Sequence, residues 1–205
     1  VNGSWARIDW DAARPDEQAV RRARARLRYQ AKALPAAGVD ELVLALRRTH
    51  VNGGALVAGF RVVDDDVTGW FAARNRFSEF GFFSHFLGSA AVREALPELQ
   101  IPESLEDDLR FEESWSGTLS LGGELAAMLV HGGAYEAFPG SPMEAKRLGD
   151  AFVEAIVGER HDRFHVYRSH RRWCSWFFDI AWDSTSILID REHAEIVLLC
   201  ITDTD

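Results

Sequence analysis

The chain has 205 residues, is 47% hydrophobic and 27% charged, and carries a formal net charge of −9. A chain of this length and composition builds a core of its own, which excludes disorder and any need for a disulfide or metal to fold. Excess negative charge repels phosphate backbones and anionic lipid, so nucleic acid and membrane are set aside as partners.

Other features set the class. Val1-Asn2-Gly3-Ser4-Trp5 holds no apolar leader-like run, and no apolar stretch approaches the ~18–20 residues that cross a bilayer. Cys174 and Cys200 lack Cys-x-x-Cys spacing and lie in hydrophobic runs, so both read as reduced, buried thiols. The expected address is the cytosol. Lys32 and Lys146 are the only lysines, an arginine bias expected of a GC-rich bacterial genome.

In chain order, Pro15-Asp16-Glu17 opens a helix in which Val20, Ala23, Leu27, Ala31 and Leu34 recur at helical spacing until Pro35. Arg21, Arg22, Arg24, Arg26 and Arg28 occupy its other faces and read as a solvated surface. A second helix is expected from Asp40 to Arg48, and Asn52-Gly53-Gly54 then breaks the chain. Ala55 to Val63 reads as a buried strand closed by Asp64-Asp65-Asp66. Phe77, Phe80, Phe83 and Leu87 share one helical face. A short helix and a loop with Pro97 and Pro102 follow, and Leu119 to His131 suggests strand, turn and helix. Ser141, Pro142 and Glu144 form the clearest helix start, a capping box, with Gly158 at the far end.

Beyond residue 163 the pattern changes to four strand-like runs: Phe164–Arg168, Ser175–Trp182, Ser186–Asp190 and Ala194–Thr202. Their short connections require antiparallel pairing. The expected fold is α+β in a single compact domain spanning 1–205. Helices in 1–160 pack on a C-terminal antiparallel meander in 163–202, with one additional buried strand near 55–63.

Candidate chemistry is sparse. If the runs pair in order, Asp183 meets the chain end that carries Asp203 and Asp205, gathering oxygen ligands suited to a divalent cation such as Mg²⁺ or Ca²⁺. A solvated turn and polar tail explain the same residues. His165 and Asp179 on adjacent strands form a candidate general-base pair, with His170 nearby. Trp173, Tyr167 and His170 could form an aromatic site for a ligand or partner, with Trp173 the ring expected at the surface. Core packing is the plainer account of Trp176, Trp182 and Cys174. No Walker A loop, G-x-G-x-x-G, H-E-x-x-H or G-x-S-x-G is present.

Three functions follow from this reading. The first is an interaction module of immunity or regulatory type, without catalytic activity, that binds another protein of basic character. The second is a metal-assisted hydrolase using Asp183, Asp203 and Asp205. The third is a binder of small cationic ligands with an aromatic site near Trp173.

Overall fold

A computed structural model describes residues 5–63, 66–106 and 108–205. Its elements in order are α1 (Glu17–Arg26), β1 (Arg28–Lys32), α2 (Val39–Thr49), β2 (Gly54–Val63), α3 (Asp66–Ala73), α4 (Phe77–Phe80), α5 (Phe82–Leu87), α6 (Ala90–Ala95), β3 (Glu112–Glu113), α7 (Thr118–His131), α8 (Pro142–Val157), β4 (Phe164–Ser169), β5 (Ser184–Asp190) and β6 (Glu195–Thr202). The six strands form one sheet in the order β1-β2-β6-β5-β4-β3, with every neighbouring pair antiparallel. The α+β class expected from the sequence is the observed one.

Strand alternation splits the sheet into two apolar faces. Phe60, Ile187, Ile189, Ile196, Leu198 and Cys200 face the phenylalanine-rich helices α3 to α5. Ala55, Val166, Leu188, Val197, Leu199 and Ile201 face α2, α7 and α8. Helices therefore cover both sides, which explains why β5 and β6 are almost continuously apolar or buried along their length.

Several elements match their sequence signals. The expected strand is β2, embedded second in the same sheet; Asp64 and Asp65, read as its closing turn, lie outside the described residues. Ser141 Oγ accepts from Glu144 N at 3.2 Å, and Ser141 N donates back to the Glu144 carboxylate at 2.6 Å. These hydrogen bonds hold the Glu144 carboxyl below its usual range.

Four expectations are corrected. The first helix ends at Arg26; Leu27 turns out with ψ 128°, and residues 28–32 pair with β2. Intrinsic helix preferences differ by only about 0.7 kcal/mol per residue, less than a strand gains by completing a ladder and burying Tyr29. Residues 77–87 form two short helices, split at Gly81 in the left-handed region (φ 68°). One straight helix cannot turn Phe77, Phe80, Phe82, Phe83, Phe86 and Leu87 all inward, whereas the broken pair buries each of them.

Residues 118–131 are a single helix, in which Gly122 serves packing rather than a turn. A Cβ at Gly149 of α8 would overlap the Gly122 carbonyl, so the glycines let the two helices touch. Residues 175–182, finally, are successive turns instead of a strand. Asp179 adopts φ 65°, and the N–H groups of Phe178, Asp179 and Ile180 converge on the Asp183 carboxylate at 3.4, 2.6 and 3.3 Å.

Candidate functional site

The carboxylates expected to gather at one end of the sheet do emerge there: Ser184 pairs with Ile201, which sets Asp183 beside Thr202. They then separate. Asp183 is fully buried and takes the three turn N–H groups and the Thr202 hydroxyl. Asp203, one residue on, points the other way and accepts from Asn52 N at 2.8 Å and Ala134 N at 2.7 Å. Thr202 and Asp203 are sequence neighbours at a strand end, and the two-residue period sends their side chains to opposite faces. Asp205 lies exposed at the chain end. Among the described residues no group of three or more His, Cys, Asp or Glu side chains is placed to hold a metal ion.

His165 and Asp179 occupy opposite ends of the sheet. His165 pairs across to Ile189, near the β5–β6 turn, whereas Asp179 is exposed in the loop that precedes β5. His170 is exposed and its Nδ1 donates to the Asp183 carbonyl at 2.9 Å. Trp173, expected at the surface, is buried, and its indole N–H donates to Thr185 Oγ1 at 2.8 Å. Burial pushes the Cys174 thiol up to about 11, despite Arg172, and holds Cys200 higher than an ordinary thiol. Neither sulfur is a thiolate at neutral pH.

His165 and Tyr167 instead meet partners missed in the sequence. Two residues apart on β4, they present to the same face, their rings stacked at 6.3 Å. The His165 imidazole pairs with the Glu113 carboxylate on β3, the Asn75 amide N–H₂ donates to the same carboxylate, and the Tyr167 hydroxyl donates to the Asn75 carbonyl. A carboxylate only accepts, so His165 Nδ1 carries the proton. Burial, with Arg191 nearby, lowers the His165 pKa against the opposing pull of Glu113. Burial likewise raises that of Tyr167. Both groups are therefore neutral at pH 7.

Asn75 opens this chain of hydrogen bonds onto a cleft of about 570 Å³, lined by Ile8, Trp10, Arg14, Trp70, Ala73, Arg74, Asn75, Arg76 and Arg191. Local folding places each group. After α3, Asn75 takes φ 56°, a conformation asparagine tolerates, and the tight turn sets Arg74 and Arg76 on either side. Trp70 lies one helical turn before Arg74, whose guanidinium stacks over the indole at 4.2 Å, with that of Arg76 at 5.8 Å. The Trp70 N–H donates to the Ala12 carbonyl at 3.0 Å, and Arg74 bonds the Asp9 carbonyl, which fasten the N-terminal segment bearing Trp10 and Arg14.

Arg191 arrives from the β5–β6 turn. Buried Asp190 builds that turn by accepting from Glu192 N at 2.9 Å, His193 N at 3.2 Å, His193 Nδ1 at 2.9 Å and Arg160 at 2.5 Å. The Arg191 Nε is buried and has no hydrogen-bond partner among the described residues. Glu79 offsets part of the charge, pairing Arg14 at 2.9 Å and Arg76 at 3.6 Å.

The cleft is thus strongly basic on an acidic protein, with two indole rings in its walls. Such a lining attracts an anion and offers flat surfaces for stacking. Its residues come from three separated stretches, so only the Arg74-Asn75-Arg76 triplet one turn after Trp70 was a local signal in the sequence. No family model, no curated protein and no solved structure matches the chain.

Proposed function

We propose that the protein is a non-catalytic binding module whose cleft between Trp10, Trp70 and Arg191 takes a small organic anion bearing a flat ring, of which a nucleoside monophosphate is the model. The observation that carries this reading is the convergence of four arginines and two tryptophans on one cavity of about 570 Å³. Arginine offers a fork of donors to phosphate or carboxylate, and indole faces stack on planar groups. The described lining holds no Ser, Thr, Cys, Lys or carboxylate side chain that would serve as a nucleophile or general base. The test is tryptophan-fluorescence titration with adenosine and guanosine monophosphates, benzoate as a ring-bearing carboxylate, and inorganic phosphate as the ringless control. Binding by a ring-bearing anion, weakened about tenfold by Trp10→Ala and by Arg191→Gln, supports the reading; tenfold corresponds to about 1.4 kcal/mol. Equal binding of phosphate, or unchanged affinity in both variants, overturns it.

A second reading rests on a separate surface. Trp115 is fully exposed at 103% and Leu119 is exposed at 78%, beside the acidic strand Glu112–Glu113. An apolar anchor rimmed by carboxylates suits the basic protein partner that the net charge favours. Trp115→Ser should abolish capture of that partner while leaving the melting temperature unchanged; capture that survives removes this surface from consideration.

A further inference from the structure

A second cavity, also of about 570 Å³, opens beside the C-terminal end of α1, and its lining includes Arg24, Arg28, Tyr29, His85, Glu103 and Ser104. It shares no lining residue with the arginine–tryptophan cleft. Tyr29, the second residue of β1, is buried, with its hydroxyl 3.0 Å from His85 Nδ1. The His85 ring also hydrogen-bonds the backbone of Arg24, and burial, with Arg24 and Arg28 beside it, keeps it from gaining a second proton. A neutral imidazole has a single N–H; with that turned to the Arg24 carbonyl, Nδ1 accepts the Tyr29 proton. Burial also keeps Tyr29 protonated. The phenolic oxygen of this lining residue, its own hydrogen committed to His85, is left as an acceptor.

The walls carry both signs of charge. Arg24 is steadied by Phe80, whose carbonyl its Nε engages and whose ring it covers at 5.5 Å. Arg28 rests on the carbonyls of Ala25 and Leu27 at 2.8 Å. Arg93 of α6 binds the carbonyls of Gly88 at 3.1 Å, Pro102 at 2.5 Å and Ile101, fastening the loop that bears Glu103 to α6. The lining therefore combines positively charged donors, Arg24 and Arg28, with acceptors, Glu103 and the Tyr29 oxygen. A simple anion leaves the acceptors unmatched, and a simple cation leaves the arginines unmatched.

We propose that this cavity binds a small zwitterion of the α-amino-acid type, its carboxylate on Arg24 and Arg28 and its ammonium on Glu103 and the Tyr29 oxygen. The test is titration calorimetry of the full chain with a panel of free L-amino acids. For every one that binds, the matching deaminated acid and decarboxylated amine are titrated as well. Saturable binding of at least one amino acid is expected, weakened about tenfold or more by Glu103→Gln and by Arg28→Gln, and lost with either truncated counterpart. Both positions are exposed, and unchanged thermal melts of the variants confirm that the fold is intact. No binding across the panel at millimolar concentration overturns the proposal. So does a deaminated acid that binds as tightly as its parent, or binding unaffected in both variants. Failure here leaves the arginine–tryptophan cleft untouched, since the two have separate linings.

Discussion

Asp183 shows how one buried side chain can shape a segment. Its carboxylate collects three consecutive N–H groups and the Thr202 hydroxyl, and in doing so curls residues 175–182 out of the strand that their alternating pattern suggests. Asp183→Ala leaves the buried Thr202 hydroxyl and the part-buried turn N–H groups without their acceptor, and each buried unpaired group costs about 1–3 kcal/mol. The expected loss is at least about 3 kcal/mol, read as a fall in Tm of about 6 °C or more. An unchanged melting temperature would mean that the turn is held by other contacts. The histidines make a second residue-scale prediction. Burial is the leading cause that lowers the pKa of His50, His85 and His165 below the ordinary value of 6.5. Between the folded and unfolded values the unfolded chain binds more protons, so stability is complete above the unfolded value and is lost as pH falls through the folded ones. Melting temperature should therefore drop as pH falls below the ordinary histidine value of about 6.5, and His85→Gln should flatten the slope. A flat profile would contradict the neutral His85 on which the second cavity depends.

Elements depend on close approach as much as on periodicity. The helices α7 and α8 meet where Gly122 and Gly149 face each other, and a methyl group at Gly149 has no space against the Gly122 backbone. Gly149→Ala should cost about 1–3 kcal/mol through forced separation of the helices, although alanine is the better helix former. A calorimetric Tm lower by about 3–10 °C checks this; a rise would show that the helices part without penalty. Such glycines read as chain breaks in the sequence, which is why 119–131 suggested a strand and a turn. The break at Gly81 is the reverse case, a real interruption hidden inside a continuous phenylalanine pattern.

At the scale of the whole molecule, the distribution of charge matters more than its sum. The net charge of −9 argues for a basic or cationic partner, yet four arginines gather at one cleft. Binding of a ring-bearing anion there should weaken severalfold as ionic strength rises from about 0.01 M to about 0.15 M, where the Debye length shortens from about 30 Å to about 8 Å. Affinity independent of salt would remove the guanidinium groups as the source of attraction. Within the described residues no helix is long and apolar enough to cross a membrane.

The sequence by itself determined the α+β class, the antiparallel hairpin of β5 and β6, the strand β2, the helices α2 and α8, and the sheet end shared by Asp183 and Asp203. Each rests on signals local in the chain: a two-residue or 3.6-residue period, a capping box, a connection too short to cross over. His165 and Tyr167 were legible as polar groups on one strand, but Glu113, Asn75 and Arg191 reach them from β3, the turn after α3 and the β5–β6 turn. Only the tertiary structure decided that 28–32 is a strand, that Asp183 and Asp203 face away from each other, and that Trp10, Trp70 and the arginines share a cleft. These outcomes depend on contacts between distant segments, where burial and pairing outweigh local preferences of less than about 1 kcal/mol per residue.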